Sequence, residues 1–342
     1  MARMIKLSRI NWGFLGTARI NQAMIDALKG SKHSHLLAVA SRSIEHGREY
    51  ALQNNIARVY GSYDDLLADP DIDIIYNSLP NHLHAPWSIK AAQAGKNVLC
   101  EKPFTLTHTE AINMLKAAQE NHVLLTEALV YRHFPQTKRV MEIIQEGFLG
   151  KIQLIRGSFS FILTRPDDFR MKSDQGGGSL WDVGCYPVSY LHMVAKASPS
   201  NLYGRKINAP SGVDSTFAGQ LWFQDGLIAQ FDCSFYLPRY TYMEIRGSQG
   251  TLIIPNPFNS SQENHIILRQ GDKETTFSFP PHNRFQHQVQ DLEISIRSGI
   301  PPLISPEESC QIIATLETLS KSAVENEPLH FGDPALPKSD SL

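Results

Sequence analysis

Along the first third of the chain, short apolar runs alternate with stretches whose apolar residues fall at helical spacing. Ile10–Leu15 predicts a strand, and Ile20, Ala23, Met24, Ala27 and Leu28 predict the helix after it. Leu36–Ala40 and Arg58–Tyr60 predict further strands, with Asp64–Leu67 as a short helix. A fourth strand, Ile72–Ser78, stops at Leu79-Pro80-Asn81-His82-Leu83-His84. A helix through Ala91–Ala94 stops at Gly95, and Asn97–Cys100 is the next strand. Thr107-x-x-Glu110 is a capping box that opens another helix, and Val123–Leu125 completes six strands. Strands alternating with helices at such intervals specify a doubly wound parallel sheet.

Beyond residue 150 the pattern changes. Ile152–Phe161 predicts a long strand, and Thr216–Phe223 with Leu227–Phe235 flank Asp225-Gly226, a dipeptide suited to a type I′ turn. Met243–Arg246 with Gly250–Ile254, and His265–Leu268 with Thr275–Phe279, predict two more hairpins. Adjacent strands imply a mostly antiparallel sheet. Ser305-Pro306-Glu307-Glu308 caps a last long helix, and the tail after Asn326 is expected to be loosely held. The expected class is therefore α/β: a parallel-sheet domain over 1–128, then an α+β domain with a mostly antiparallel open sheet over 129–342.

Composition narrows the function. The 342 residues are 42% hydrophobic and 19% charged, with a net charge of -2, which argues against a nucleic-acid or anionic-membrane partner. No segment reaches the length of a membrane span or a signal-peptide core. Cys100, Cys185, Cys233 and Cys310 show no paired spacing, so neither a disulfide framework nor a zinc site is indicated and a reducing cytoplasm is expected. His82 and His84 have no ligand partner at metal spacing, so no metal is expected.

Candidate chemistry gathers where strands end. Glu101-Lys102-Pro103 delivers an ammonium at a strand's carboxyl end, where open α/β sheets bind ligands. Pro103 restricts Lys102 to extended backbone, in a cis or a trans bond; the plainer reading is a strand end at the surface. Gly16-Thr17-Ala18-Arg19-Ile20-Asn21 has one glycine of a phosphate-binding Gly-x-Gly-x-x-Gly turn, with Ala18 and Asn21 in the other two places. Ser41-Arg42-Ser43 follows the second strand without the acid that a free ribose 2′-hydroxyl wants, which favours NADP over NAD unless Arg42 is simply solvated. Gly176-Gly177-Gly178 allows close approach of backbone, and the helix after it carries Asp182 and Tyr186 four residues apart, either a proton-transfer pair or a packed tyrosine satisfied by the acid. Tyr131, Arg132, His133, Arg165 and Asp168 are further candidates for holding substrate.

Gly16-Thr17-Ala18, Pro80-Asn81-x-x-His84, Glu101-Lys102-Pro103 and Gly177-Gly178-x-x-x-Asp182-x-Gly184-x-Tyr186 together resemble the glucose-fructose oxidoreductase, inositol dehydrogenase and rhizopine-catabolism (Gfo/Idh/MocA) family from about residue 9 to about residue 320. The resemblance implies a Rossmann domain joined to an open-sheet domain, assembly as a homodimer or homotetramer, and nicotinamide-linked redox chemistry on sugars, cyclitols and related alcohols. It assigns Lys102, Asp182 and Tyr186 to catalysis and to substrate, and Arg132 joins them as a substrate residue from its nearness in sequence. It assigns Gly16, Thr17, Ala18, Ile20, Ser41, Arg42, Ser78, Pro80, Asn81, His84, Glu101 and Lys102 to the cofactor. Many members have histidine where Tyr186 stands; tyrosine resembles the sugar 3-ketoreductase and dimeric dihydrodiol dehydrogenase branches. The implied reaction interconverts a secondary alcohol and a ketone with NADP, Tyr186 exchanging the proton beside Lys102. The alternatives are an aldose or trans-dihydrodiol dehydrogenase and a non-catalytic NADP-sensing regulator.

Overall fold

Apolar residues that alternate with helical stretches leave parallel strands no choice but to be buried on both faces, and the computed structural model, which describes residues 9–165 and 167–332, has that sheet. In chain order it is built from β1 (Ile10–Leu15), α1 (Asn21–Lys29), β2 (Ser34–Ala40), α2 (Ile44–Asn54), β3 (Arg58–Tyr60), α3 (Tyr63–Leu67), β4 (Ile74–Asn77), α4 (His84–Gln93), β5 (Asn97–Cys100), α5 (His108–Glu120) and β6 (Leu125–Glu127). The strand order β3-β2-β1-β4-β5-β6 is the Rossmann order, all parallel, with its switch point between β1 and β4. Trp12, Phe14, Ile74, Ile75, Tyr76, Val98 and Leu99 are fully buried in it. The sixth strand is Leu125–Glu127 rather than Val123–Leu125. Leu124, just before it, is held to β5 twice, its carbonyl accepting the Val98 amide at 2.8 Å and its amide bonding Asn97 Oδ1 at 2.9 Å.

The second half runs α6 (Pro135–Gln145), β7 (Ile152–Ser160), α7 (Cys185–Ala195), β8 (Asn201–Asn208), β9 (Asp214–Trp222), β10 (Ile228–Ser234), β11 (Tyr240–Gly247), β12 (Thr251–Pro255), β13 (Asn264–Gln270), β14 (Lys273–Phe279), α8 (Gln286–Ser298), α9 (Pro306–Glu325) and β15 (Leu329–His330). Its nine strands order as β14-β13-β12-β11-β7-β10-β9-β8-β15, antiparallel except for the β7–β10 pair. Along β7, β9 and β10 buried residues alternate with Arg156, Gln220, Gln230 and Asp232, so one face of this sheet is polar.

Two details depart from the sequence reading. The β9–β10 connection is a three-residue loop, Gln224–Gly226, in which Gly226 (φ +87°) has positive φ and Asp225 does not; its amide bonds Phe223 O at 3.1 Å. A type I′ turn needs positive φ at both central residues, so the loop is instead the three-residue kind with glycine in the left-handed position. The tail is held further than expected, because Leu329–His330 pair with Leu202 and Asn201 of β8. Residues 333–342 lie outside the described part of the chain.

The chain divides into two compact units, each discontinuous. The first takes in 1–105, 110–133 and 282–309; the second takes in 106–109, 134–281 and 310–342. Within the first, Asn283 Nδ2 donates to Ala23 O at 3.2 Å and the Phe285 ring lies 6.4 Å from that of Tyr76, so α8 is packed with the parallel sheet.

Candidate active site

In the first unit the loops after β1, β2, β4, β5 and β6 leave one edge of the sheet together. After β1 the chain turns at Gly16 (φ +83°), whose amide bonds Ala40 O at 2.9 Å. A methyl group there would stand 3.1 Å from Leu79 Cδ2. Asn21, in the third glycine's place, is fully buried and donates from Nδ2 to Gly16 O at 3.0 Å, so the departure from the glycine pattern closes the turn. No side chain caps α1, and the amides of Thr17, Ala18, Arg19 and Ile20 have no acceptor among the described residues. Unspent amides at a helix N-terminus fit a pyrophosphate.

At the end of β2, Ser41 is buried while Arg42 and Ser43 are exposed. The Ser43 hydroxyl caps α2, accepting the His46 amide at 3.2 Å, and also bonds Glu45 Oε2 at 3.1 Å. Arg42 lies against the Tyr63 hydroxyl, whose ionisation burial pushes up and Arg42 pulls down. His46 Nε2 stands 3.1 Å from Thr17 Oγ1, joining the first two loops. Neither His46 nor Tyr63 carried a motif in the sequence; only the fold brings them beside Arg42 and Thr17.

The loop after β4 is spent on holding itself. Ser78 Oγ bonds Leu15 O at 3.3 Å, and Asn77 Nδ2 bonds His84 O and Ser88 Oγ at 3.0 Å each. Ser78 and Asn81 are buried, and Pro80 is half-exposed. His84 is fully buried with Nδ1 2.7 Å from Pro103 O and Nε2 2.8 Å from Leu79 O. Burial pushes it down to about 4, against the two carbonyls, which favour the charged ring. His84 is thus a strut between the ends of β4 and β5.

The Lys102-Pro103 bond is cis. Lys102 is half-buried, its amide bonding Glu101 Oε2 at 3.2 Å, while Glu101 Oε1 accepts the Tyr76 hydroxyl. Burial pushes the Glu101 carboxyl up, and the Lys102 ammonium is among the groups that oppose it. Glu127, which the sequence reading passed over, is fully buried and accepts the Phe104 amide at 2.9 Å. Tyr131 and Arg132 are buried, Arg132 in an ion pair with Glu308, and His133 Nδ1 bonds Asp291 Oδ2 at 2.6 Å.

In the second unit, Leu180–Gly184 forms a π-helical turn that leads into α7 and carries Asp182. Such wide turns occur often at functional sites. Asp182 Oδ2 accepts Arg170 Nε at 2.6 Å, and Arg170 Nη1 also bonds Asp168 Oδ1 at 3.2 Å. The two carboxylates raise the guanidinium's hold on its proton, with burial opposing them. Arg170 was not legible as a partner of Asp182, since nothing in their spacing joins a loop arginine to a helix twelve residues on. Arg165 is exposed. The half-buried Tyr186 ring lies 5.2 Å from those of both Phe159 and Phe258, which stack on each other at 5.4 Å. The glycine loop approaches the chain itself. Gly177 and Gly178 donate to Lys172 O and Arg170 O at 2.9 Å each, and methyl groups there would stand 2.4 Å from Arg170 O and 2.2 Å from Asp214 Oδ1.

Among the described residues no cluster of three His, Cys, Asp or Glu side chains is arranged for a metal, and no helix is long and apolar enough to cross a membrane.

Two family models match. Residues 10–129 fit the Gfo/Idh/MocA oxidoreductase family with its NAD-binding Rossmann fold, and residues 137–253 fit that family's C-terminal domain. The chain is 32% identical over 317 residues to the NADP(+) D-xylose 1-dehydrogenase 2 of Haloferax volcanii, covering 91% of this chain and 97% of the relative. It is 30% identical over 293 residues to the trans-1,2-dihydrobenzene-1,2-diol dehydrogenase of Xenopus laevis, covering 84% and 85%. Among solved structures, the 3-ketoreductase KijD10 of Actinomadura kijaniata in complex with NADP and TDP-benzene superimposes with a TM-score of 0.85 at 26% identity, covering 92% of this chain and 98% of that one. The protein belongs to the Gfo/Idh/MocA family of NAD(P)-dependent oxidoreductases.

Proposed function

We propose that the protein interconverts a secondary alcohol and a ketone on a sugar or cyclic polyol with NADP as the redox partner, its first domain holding the cofactor and its second the substrate. The observation that carries this reading is the turn after Gly16, whose amides at Thr17–Ile20 have no acceptor among the described residues, on the same sheet edge as Lys102. Those amides would hold the pyrophosphate. Arg42 would take the 2′-phosphate, with Thr17 and His46 beside it. Glu45, bonded to the Ser43 hydroxyl, would oppose a second negative charge there. Bound there, the nicotinamide supplies the hydride acceptor or donor.

The chain's own residues would move the proton. Tyr186 would exchange it with the carbinol oxygen, and the Lys102 ammonium would bond that oxygen and favour the tyrosinate. Asp182, anchored by Arg170, would bind a neighbouring substrate hydroxyl. Ser78, Asn81 and His84 would support the cofactor loops from behind, because their polar atoms are buried. The polar face of the nine-stranded sheet would meet a second copy of the chain, which light scattering at micromolar concentration tests.

Sugars, cyclitols and dihydrodiols offered with NADP and with NAD, and followed by absorbance of the reduced nicotinamide, test the proposal. Turnover of a polyol with NADP supports it, and binding of NADP without turnover of any compound turns it towards a regulator. A second reading, an aldose or trans-dihydrodiol dehydrogenase, rests on the two relatives of those names and on the phenylalanine wall beside Tyr186, which also suits a flat carbocycle.

A further inference from the structure

Glu127 closes β6 opposite Cys100 of β5, and the next amide, Ala128, bonds Cys100 O at 2.7 Å. The strand end therefore fixes its backbone, and its side chain turns inward. Oε1 takes the amide of Phe104, two residues past Lys102. Oε2 has no hydrogen-bond partner among the described residues, and neither has Ser309 Oγ, near which it lies. The charged and titratable neighbours are Glu101, the Cys100 thiol and Glu308, the last of which is paired with Arg132. A buried carboxyl among other acids keeps its proton, and here burial, reinforced by Glu308 and Glu101, pushes it up to about 7. A neutral amide would accept the same Phe104 hydrogen bond at less cost.

We propose that Glu127 is a positioning residue for Lys102: its buried carboxyl holds the Phe104 amide and so fixes the turn that aims the lysine. The turn is gripped from both sides. His84 holds Pro103 O and Glu127 holds the Phe104 amide, so Lys102 is the residue next to a doubly fixed segment. Without the carboxyl, the buried Phe104 amide has no acceptor and the turn shifts to find one.

The inference rests on the proposed role of Lys102, and the test separates the two. Turnover, NADP affinity and melting are measured for Glu127→Gln, Glu127→Leu and Lys102→Met, together with the Phe104 amide resonance of phenylalanine-labelled protein between pH 5 and 8. Glu127→Gln keeps an acceptor for Phe104 and is expected to keep most of the parent kcat. Glu127→Leu is expected to lose on the order of 100-fold in kcat, the effect of misplacing a catalytic group by about 1 Å, while NADP affinity is unchanged. The parent's Phe104 amide is expected to move with a midpoint near neutrality, and that of Glu127→Gln to stay still. Parent-like kcat in Glu127→Leu overturns the inference, as does an equal loss in Glu127→Gln and Glu127→Leu. If Lys102→Met keeps full turnover, the proposed reaction is wrong. The Phe104 amide resonance then decides whether Glu127 governs the turn: it is expected to shift in Glu127→Leu and to stay near the parent's in Glu127→Gln, and a parent-like resonance in Glu127→Leu overturns the inference. If Glu127→Leu does not fold, Glu127→Gln and the titration carry the same decision.

Discussion

The molecule has two glycine turns, and they spend their backbone in opposite ways. At Gly16 the chain leaves the amides of Thr17 to Ile20 without an acceptor among the described residues, at the start of a helix. At Gly177-Gly178 the amides go to Lys172 O and Arg170 O, and the missing side chains make room for the chain's own carbonyls and for Asp214. Absence of a Cβ permits close approach in both, but in one turn the approaching partner is left open and in the other it is the protein. A glycine run therefore signals proximity, not a ligand.

Chemistry at Tyr186 and Lys102 gives the largest expected effect. Tyr186→Phe is expected to reduce turnover by about 100-fold to 10,000-fold, and Lys102→Met by at least as much, while NADP titrated by fluorescence still binds. Near-full turnover in Tyr186→Phe would move the proton donor elsewhere.

The glycines themselves sharpen the contrast. Gly177→Ala is expected to cost about 1–3 kcal/mol of stability by overpacking against Arg170 O, read by denaturant melts, with unchanged NADP affinity in the folded fraction. Gly16→Ala is expected to weaken NADP binding, because a left-handed backbone is strained in alanine and the amide nest deforms. If both variants weakened NADP equally, the distinction between the turns would collapse. A smaller effect belongs to Arg42→Ala, expected to weaken NADP more than NAD by about 1.5–3 kcal/mol, the contribution of one charged phosphate contact, by calorimetry. Equal losses for the two cofactors would remove Arg42 from the 2′-phosphate.

Much of this was legible beforehand for a definite reason. β1 and β5 are short, mostly apolar runs between turn residues, and their observed limits coincide with those runs. The β5 end at Glu101-Lys102-Pro103 could be read because proline has no amide to donate to the ladder of an interior strand. Other features were hidden because tertiary contacts decide them. The limits of β6 at Leu125–Glu127 are set by its pairing with Val98–Cys100 of β5. Strand β8 and the packing of α8 with the parallel sheet depend on partners distant in sequence. Arg170, His46 and Glu127 acquire meaning only through Asp182, Thr17 and Phe104, which no local spacing joins to them.

The two groups that grip the lysine turn have opposite proton linkages, and the smallest expected effect is their sum. His84 sits at about 4, below its ordinary 6.5, so the stability it contributes is present above 6.5 and lost as pH falls through 4. Glu127 sits at about 7, above its ordinary 4.5, so its contribution is full below 4.5 and lost as pH rises through 7. Between pH 4.5 and 6.5 these slopes oppose each other. Melting profiles of Glu127→Gln and His84→Gln should therefore tilt in opposite directions across that range while the parent's share from this pair stays flat; parallel tilts would contradict it. In the unfolded chain at such pH the imidazole is charged and the carboxyl is charged. Folding in effect hands the proton from one to the other, so both enter the interior neutral and the solvent supplies none. The pair that grips the Lys102 turn is thus built, between pH 4.5 and 6.5, without net exchange of acid with its surroundings.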